Sequence, residues 1–150
     1  MIILALDLGS RTGWANHCDR TGVASGFVDF KNSRYEGGGM RYLRFRRWLD
    51  AFSPRPEALY FEAVRRHKGT DAAHVYGGLL ATVTSWCEDN GIPYQGVPVG
   101  TIKKHATGKG NASKAQMIAA ANQRGLNSQD DNECDAWWLL DHVLHQETFA

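Results

Sequence analysis

Apolar residues are distributed along the chain in two short unbroken runs and several longer stretches at helical spacing. The first run, Ile2-Ile3-Leu4-Ala5-Leu6, is broken by one carboxylate, Asp7, and followed by Gly9-Ser10. Such a run, ended by a Gly-Ser turn, predicts a central strand buried on both faces. Gly9, Ser10 and Gly13 predict a tight turn, so that Thr12-Gly13-Trp14-Ala15 starts an antiparallel partner. Gly22 to Phe30 predicts a third strand, with Gly26 at a bulge or close approach. The second run, Ala58 to Val64, is again interrupted by a single carboxylate, Glu62, and leads into the basic turn Arg65-Arg66-His67-Lys68-Gly69. Ile92 to Val97 predicts one more short strand.

Between these strands the period changes. Met40, Leu43, Trp48, Leu49 and Phe52 recur near helical spacing, with Arg41, Arg44, Arg46 and Arg47 on much of the remainder, until Ser53-Pro54-Arg55-Pro56 stops the helix. Asp71 to Asp89 predicts a second helix through Ala72, Val75, Tyr76, Leu79, Leu80, Val83 and Trp86, closed by Gly91. Gly77-Gly78 in its middle costs helix stability and predicts close backbone packing there. Pro98 to His105 is a basic segment, and Thr107 to Asn111 a Gly-rich turn. Ser113 with Gln116 forms a capping box, which predicts a helix from Lys114 to about Gln123 closed by Gly125. Lys109, Asn111 and the free N–H groups at that helix start suit a phosphate grip, and equally a plain capped helix after a loop. Ala136, Leu139, Leu140 and Val143 form the apolar stripe of a terminal helix packed on the sheet. Asp131 and Asp135, four residues apart, share one flank of it.

A chain of 150 residues, 43% hydrophobic and 22% charged, is expected to fold as one domain over 1–150. No apolar run approaches the roughly 18 residues of a membrane span. The opening MIILALDLGS has no basic n-region, so no signal peptide is expected. Cys18, Cys87 and Cys134 are odd in number and scattered, with no CxxC, which predicts reduced thiols in a cytoplasmic protein and argues against a zinc site. The net charge of +1 conceals a gradient. Residues 1–70 hold 12 Lys/Arg against 7 Asp/Glu, residues 71–114 hold 4 against 3, and residues 115–150 hold 1 against 6. That separation suits a protein that binds a polyanion and grips a divalent cation, and also solvated faces of opposite sign.

The chemistry points the same way. A charge inside a buried strand is costly unless a cation or proton compensates it. Two strands, each with one isolated carboxylate near its C-terminal end, supply what a shared cation site needs. Asp7 as a strand-end cap and Glu62 paired with Arg65 or Arg66 are the plainer alternatives. No Ser-His-Asp or Cys-His arrangement stands at recognisable spacing.

IILALDLGSRTGWA, YFEAV with its basic turn, VGTIKKHATGKGNASKAQM and DDNECDAWWLL occur in the order found in RuvC-type Holliday-junction resolvases. The chain resembles that family over nearly its whole length. The resemblance implies an α/β, RNase H-like fold: a five-stranded mixed sheet flanked by helices, acting as a homodimer on four-way and related branched DNA. It implies four acidic positions holding Mg²⁺ or Mn²⁺, two ions per active site, that nick symmetrically related strands. Asp7 matches the first acidic position, Glu62 the second and Asp135 the last, while Lys103 and Lys114 resemble basic residues that face phosphate. The remaining acidic position falls on Asn132, so Asp131, one residue off, is the expected substitute, with the Asn132 carbonyl oxygen a weaker ligand. The expected catalytic set is therefore Asp7, Glu62, Asp131, Asp135 and Lys114. Where the family can carry an aromatic wedge, this chain has Arg65, Arg66, His67 and Lys68, which with Lys103, Lys104, Lys109 and Lys114 form the expected DNA-binding set. Two rival readings remain: a catalytically weak branched-DNA-binding module on the same fold, and an actin- or sugar-kinase-like phosphate-binding domain suggested by DLGSRTG.

Overall fold

A computed structural model describes the backbone of residues 1–149 and the side chains of residues 1–146. Among these residues five strands form one sheet in the order β3-β2-β1-β4-β5. The strands are β1 (Ile2–Asp7), β2 (Arg11–Cys18), β3 (Gly22–Asp29), β4 (Ala58–Ala63) and β5 (Tyr94–Pro98). The helices are α1 (Met40–Asp50), α2 (Thr70–Asn90), α3 (Val99–Thr107), α4 (Lys114–Gln123) and α5 (Asp131–Phe149). β1, β2 and β3 pair antiparallel, whereas β4 lies parallel to both β1 and β5. The sheet is therefore mixed, with the longest apolar run at its centre.

The alternation of side chains along a strand divides β1 between two cores. Ile3 and Ala5 pack with Met117, Ala136, Leu139 and Leu140 of α4 and α5. Leu4 and Leu6 pack on the other face with Phe45 and Leu49 of α1 and Leu79, Val83 and Trp86 of α2. β4 follows the same parity: Leu59 joins the α1–α2 core and Tyr60 borders the α4–α5 core. By that parity Asp7 and Glu62 both fall on the α5 face.

Several expectations are met closely. The Ser113–Gln116 capping box opens α4, and Gly91 ends α2 with φ of 64°, in the left-handed region open to glycine. Gly26 sits in an unbroken β2–β3 register, so it is a close approach and not a bulge: a Cβ there would lie 3.0 Å from the Trp14 indole nitrogen. At Gly78 a Cβ would meet the Tyr42 ring at 2.4 Å, which brings α2 against α1, while Gly77 faces open space. Other expectations need correction. Leu43 and Ala72 are exposed, because the buried side of α1 runs through Phe45 and Leu49, and that of α2 begins one turn later at Tyr76. Arg44 and Arg46 of the basic face of α1 are held in ion pairs with Glu36 and Asp89. The basic segment after Pro98 is the helix α3, which Val99, Gly100 and Thr101 disguise through their weak helix propensity.

Candidate active site

Asp7 ends β1 and Glu62 lies near the end of β4. These strands run parallel with Leu6 opposite Phe61, so the next residue on each is a carboxylate at the same level. The third acid arrives on α5, and a glycine decides how near it comes. Gly13 is the cross-strand partner of Asp7. A Cβ on Gly13 would sit 1.8 Å from the backbone carbonyl oxygen of Asn132. The first turn of α5 thus rests directly on the β2 backbone, and Asp135, one turn further on, reaches Asp7. Gly13 was expected to serve the β1–β2 turn; it lies inside β2 and serves this contact instead. The turn itself is held by Thr12, a buried residue whose hydroxyl donates to the Gly9 carbonyl at 2.7 Å.

One ligand atom from each of Asp7, Glu62 and Asp135 lies within 4.8 Å of the other two. Burial raises the pKa of Asp7 well above the ordinary carboxylate range, and the charges of Glu62 and Asp135 push it further. Burial also raises Glu62, against its hydrogen bond with Asp7 and the pull of Lys103. Asp135 is pushed up to about 7 by burial and by Glu62 and Asp131, with Lys103 and Lys114 opposing. Three carboxyl groups in this space cannot all ionise without a compensating cation. Hard oxygen donors converging on one point fit Mg²⁺ or Mn²⁺, and the acids identified from the two strand ends and the last helix are the ones brought together.

The four acidic residues between positions 130 and 135 are sorted by their partners. Asp130 Oδ1 accepts the Glu133 N–H at 2.8 Å, capping α5, and its Oδ2 meets Arg11 Nε at 2.9 Å. Glu133 accepts from the hydroxyls of Ser25 (2.6 Å) and Ser128 (2.8 Å), tying α5 to β3. Asp131 Oδ2 lies 3.4 Å from Lys114 Nζ, and its charge is felt by both Asp7 and Asp135. It stands at the rim, outside the 4.8 Å group formed by the other three. Asn132 touches the site region through its main chain, at Gly13.

The expected basic residues fall into two sets. Lys103 on α3 and Lys114 on α4 act electrostatically on the carboxylates. Lys104 and Lys109 are exposed, Lys109 in the turn stapled by Thr107. The candidate phosphate grip at the start of α4 has two of its donors engaged: Ser113 N–H by Gln116 and Gln116 N–H by Ser113. After Glu62, Arg65, Arg66 and Lys68 are exposed, whereas the His67 ring lies 4.8 Å from that of Tyr76. Neither Arg65 nor Arg66 forms an ion pair with Glu62 among the described residues, so the plainer reading of that carboxylate fails.

Tyr76 is the positioning residue that the pattern concealed. It reads as one more apolar position of α2, yet its hydroxyl donates to the Glu62 carbonyl at 2.9 Å and accepts the Val64 N–H at 3.2 Å. These bonds fix the end of β4 where parallel pairing stops. Only the phenol oxygen, absent from Phe at an otherwise equivalent position, could have signalled this.

No protein-family model matches the chain, and neither does any curated protein. Solved structures do. Thermus thermophilus RuvC superposes with a TM-score of 0.75 at 21% identity, over 99% of this chain and 96% of that one. The same protein in complex with a Holliday junction substrate gives 0.75 and 21%, over 92% and 89%. Ydc2, the yeast mitochondrial Holliday junction resolvase, gives 0.58 at 12% identity, over 91% and 74%. At these identities the likeness is one of architecture, and with the mixed sheet and its flanking helices it establishes that the chain adopts the RNase H-like fold of RuvC.

Proposed function

We propose that this protein is a metal-dependent, structure-specific endodeoxyribonuclease that resolves four-way DNA junctions by paired nicks, acting as a homodimer. The observation that carries the reading is the meeting of Asp7, Glu62 and Asp135 within 4.8 Å on the fold of a protein solved with a Holliday junction.

Asp7, Glu62 and Asp135 would hold Mg²⁺ or Mn²⁺, with Asp131 or the Asn132 amide oxygen completing the set. When bound, a pair of such ions activates water and stabilises the leaving oxygen of a phosphodiester. The chain supplies the rest. Asp7, buried and acted on by the charges of Glu62, Asp135 and Asp131, would be a ligand held ready by the strand end. Lys103 limits the negative potential that would otherwise repel the phosphate. Lys114, 84% exposed and tethered at one end to Asp131, can swing to a phosphate oxygen and steady it. Arg65, Arg66 and Lys68 extend the positive surface beyond Glu62, with His67 seated on Tyr76, and Lys104 and Lys109 extend it along α3 and the following turn. The weak-binder alternative draws on the absence of a carboxylate at Asn132 and on the engagement of Asp131 by Lys114.

The test is cleavage of labelled four-way, three-way and linear DNA with and without Mg²⁺. Asp7→Asn and Glu62→Gln should each reduce junction cleavage by more than about a hundredfold, the upper range for losing only an outer-sphere partner. Junction binding should survive. Loss of binding together with activity in a folded variant, or cutting that persists in chelator, would overturn the proposal.

A further inference from the structure

The second concentration of ligand-type side chains lies on α3 and further along α5. We propose that His105 of α3 with Asp141 and His145 of α5, and His142 beside them, form a binding site for a borderline transition-metal ion such as Zn²⁺, which ties α3 to α5.

The ligand atoms of His105, Asp141 and His145 lie within 4.8 Å of one another. His105 Nε2 is 2.8 Å and His145 Nδ1 3.6 Å from Asp141 Oδ2; without an ion His145 Nδ1 donates to the Asp141 main-chain carbonyl at 2.9 Å, a bond that ligation would replace. Ligands of a tetrahedral zinc ion stand about 3.3 Å apart, given bonds of about 2.0–2.1 Å, so these separations bracket the required value. Asp141 and His145 are one helical turn apart on one face of α5, a spacing that presents two ligands to one ion. The His142 ring centroid lies 5.2 Å and that of His145 5.1 Å from that of His105, so two further imidazoles flank the His105 ring.

The surroundings resemble an outer shell. Arg124 Nη2 binds the second oxygen of Asp141 at 3.1 Å, which leaves Oδ2 directed at the histidines. That guanidinium is in turn held over Trp137 and Trp138, 5.6 Å from each ring. Trp138 also meets His105 edge-on at 5.8 Å, limiting rotation of the imidazole. Partners that orient ligating groups in this way are general to metal sites. His105 and Asp141 are 20% and 14% exposed but His145 is 51% exposed, so an ion could enter from solvent on that side. Imidazole with one carboxylate favours Zn²⁺, Co²⁺, Ni²⁺ or Cu²⁺, whereas the all-carboxylate cluster favours Mg²⁺ or Mn²⁺. The two sites are thereby separable by metal type. An ion here would clamp α3, which carries Lys103, onto α5, which carries Asp135.

The experiment uses untagged protein carrying Asp7→Asn and Glu62→Gln in excess Mg²⁺, with Co²⁺ as a spectroscopic substitute for Zn²⁺. The expected result is one Co²⁺ per chain with a visible ligand-field spectrum, displacement by Zn²⁺, and a Tm that rises with Zn²⁺. His145→Gln, at an exposed position, should keep the fold by circular dichroism and weaken the metal by about tenfold or more, and His105→Gln should do the same. Absence of a Co²⁺ spectrum in the folded parent, or affinity unchanged by His145→Gln, overturns the proposal. A Tm that drops on His145→Gln by the same amount with and without Zn²⁺ also overturns it, and would leave only an ion-pair network around Asp141.

Discussion

Asp135 carries a charge state that differs between the folded and unfolded chain, and this makes a single residue measurable. In the metal-free protein its pKa is raised to about 7, whereas an unfolded Asp titrates near 3.9. The folded state therefore binds more protons between those values, so stability is fully present below the lower one and is lost as pH rises through the upper. Asp7 and Glu62, both raised, act in the same direction. In chelator the Tm should fall between about pH 4 and about pH 7, and Asp135→Asn should flatten that slope and raise Tm at the alkaline end. Mg²⁺ should restore Tm in the parent far more than in Asp135→Asn, because a cation rewards the ionised carboxylate. Scanning calorimetry across pH checks all three outcomes, and a parent profile that rises with pH would contradict them. At this scale the sequence was readable where a charge broke an apolar run, as at Asp7 and Glu62. It was not readable within Asp130 to Asp135, where rank depends on Arg11, Ser25, Ser128 and Lys114, most of them far away in the sequence.

The elements were legible wherever local chemistry is self-contained. The capping box of α4 and the glycine stop of α2 need only neighbouring residues, and both stand where expected. α3 was hidden because its first turn, Val99, Gly100 and Thr101, has weak helix propensity, while its buried residue is Ile102 alone. Gly13 was misread because a turn glycine and a contact glycine look the same in one dimension. Its role can be tested. Gly13→Ala places a methyl group against the α5 backbone and should cost about 1–3 kcal/mol by overpacking. Because the displaced segment also carries Asp135, junction cleavage should fall more than the folded fraction does, when both are measured on the same sample. Equal losses would reduce Gly13 to a packing position. The same helix turn offers a test of the fourth ligand: with Lys114 beside Asp131 and the charge of Asp131 felt by Asp135, Asp131→Asn should cost far more cleavage than Asn132→Ala. The reverse order would assign the role to the amide.

For the whole molecule, the division of the core between the two faces of the sheet followed from alternating parity along β1 and β4, but the reach of the positive surface did not. Arg65 and Arg66 are exposed just past Glu62, and no aromatic side chain stands in that turn. Guanidinium groups can relieve repulsion between crowded strands and stack on exposed bases. Arg65→Ala with Arg66→Ala should therefore weaken four-way junction binding more than linear-duplex binding. The slope of log affinity against log salt should fall by roughly one unit per lost phosphate contact. Binding and cutting equal to the parent at low and high salt would remove these residues from the interface.

Positions 7, 62 and 135 put one carboxylate in each third of the chain, and the last depends on α5 lying across Gly13. During synthesis, a polypeptide whose α5 is still inside the ribosomal exit tunnel can pair β1 with β4 but presents only two of the three acids. Its Ile3, Ala5 and Ala15 then lack most of the surface that covers them in the finished core. A nascent or proteolytically clipped chain of that kind would lack Asp135, so under the proposed function it could not assemble the three-carboxylate cluster until α5 docks.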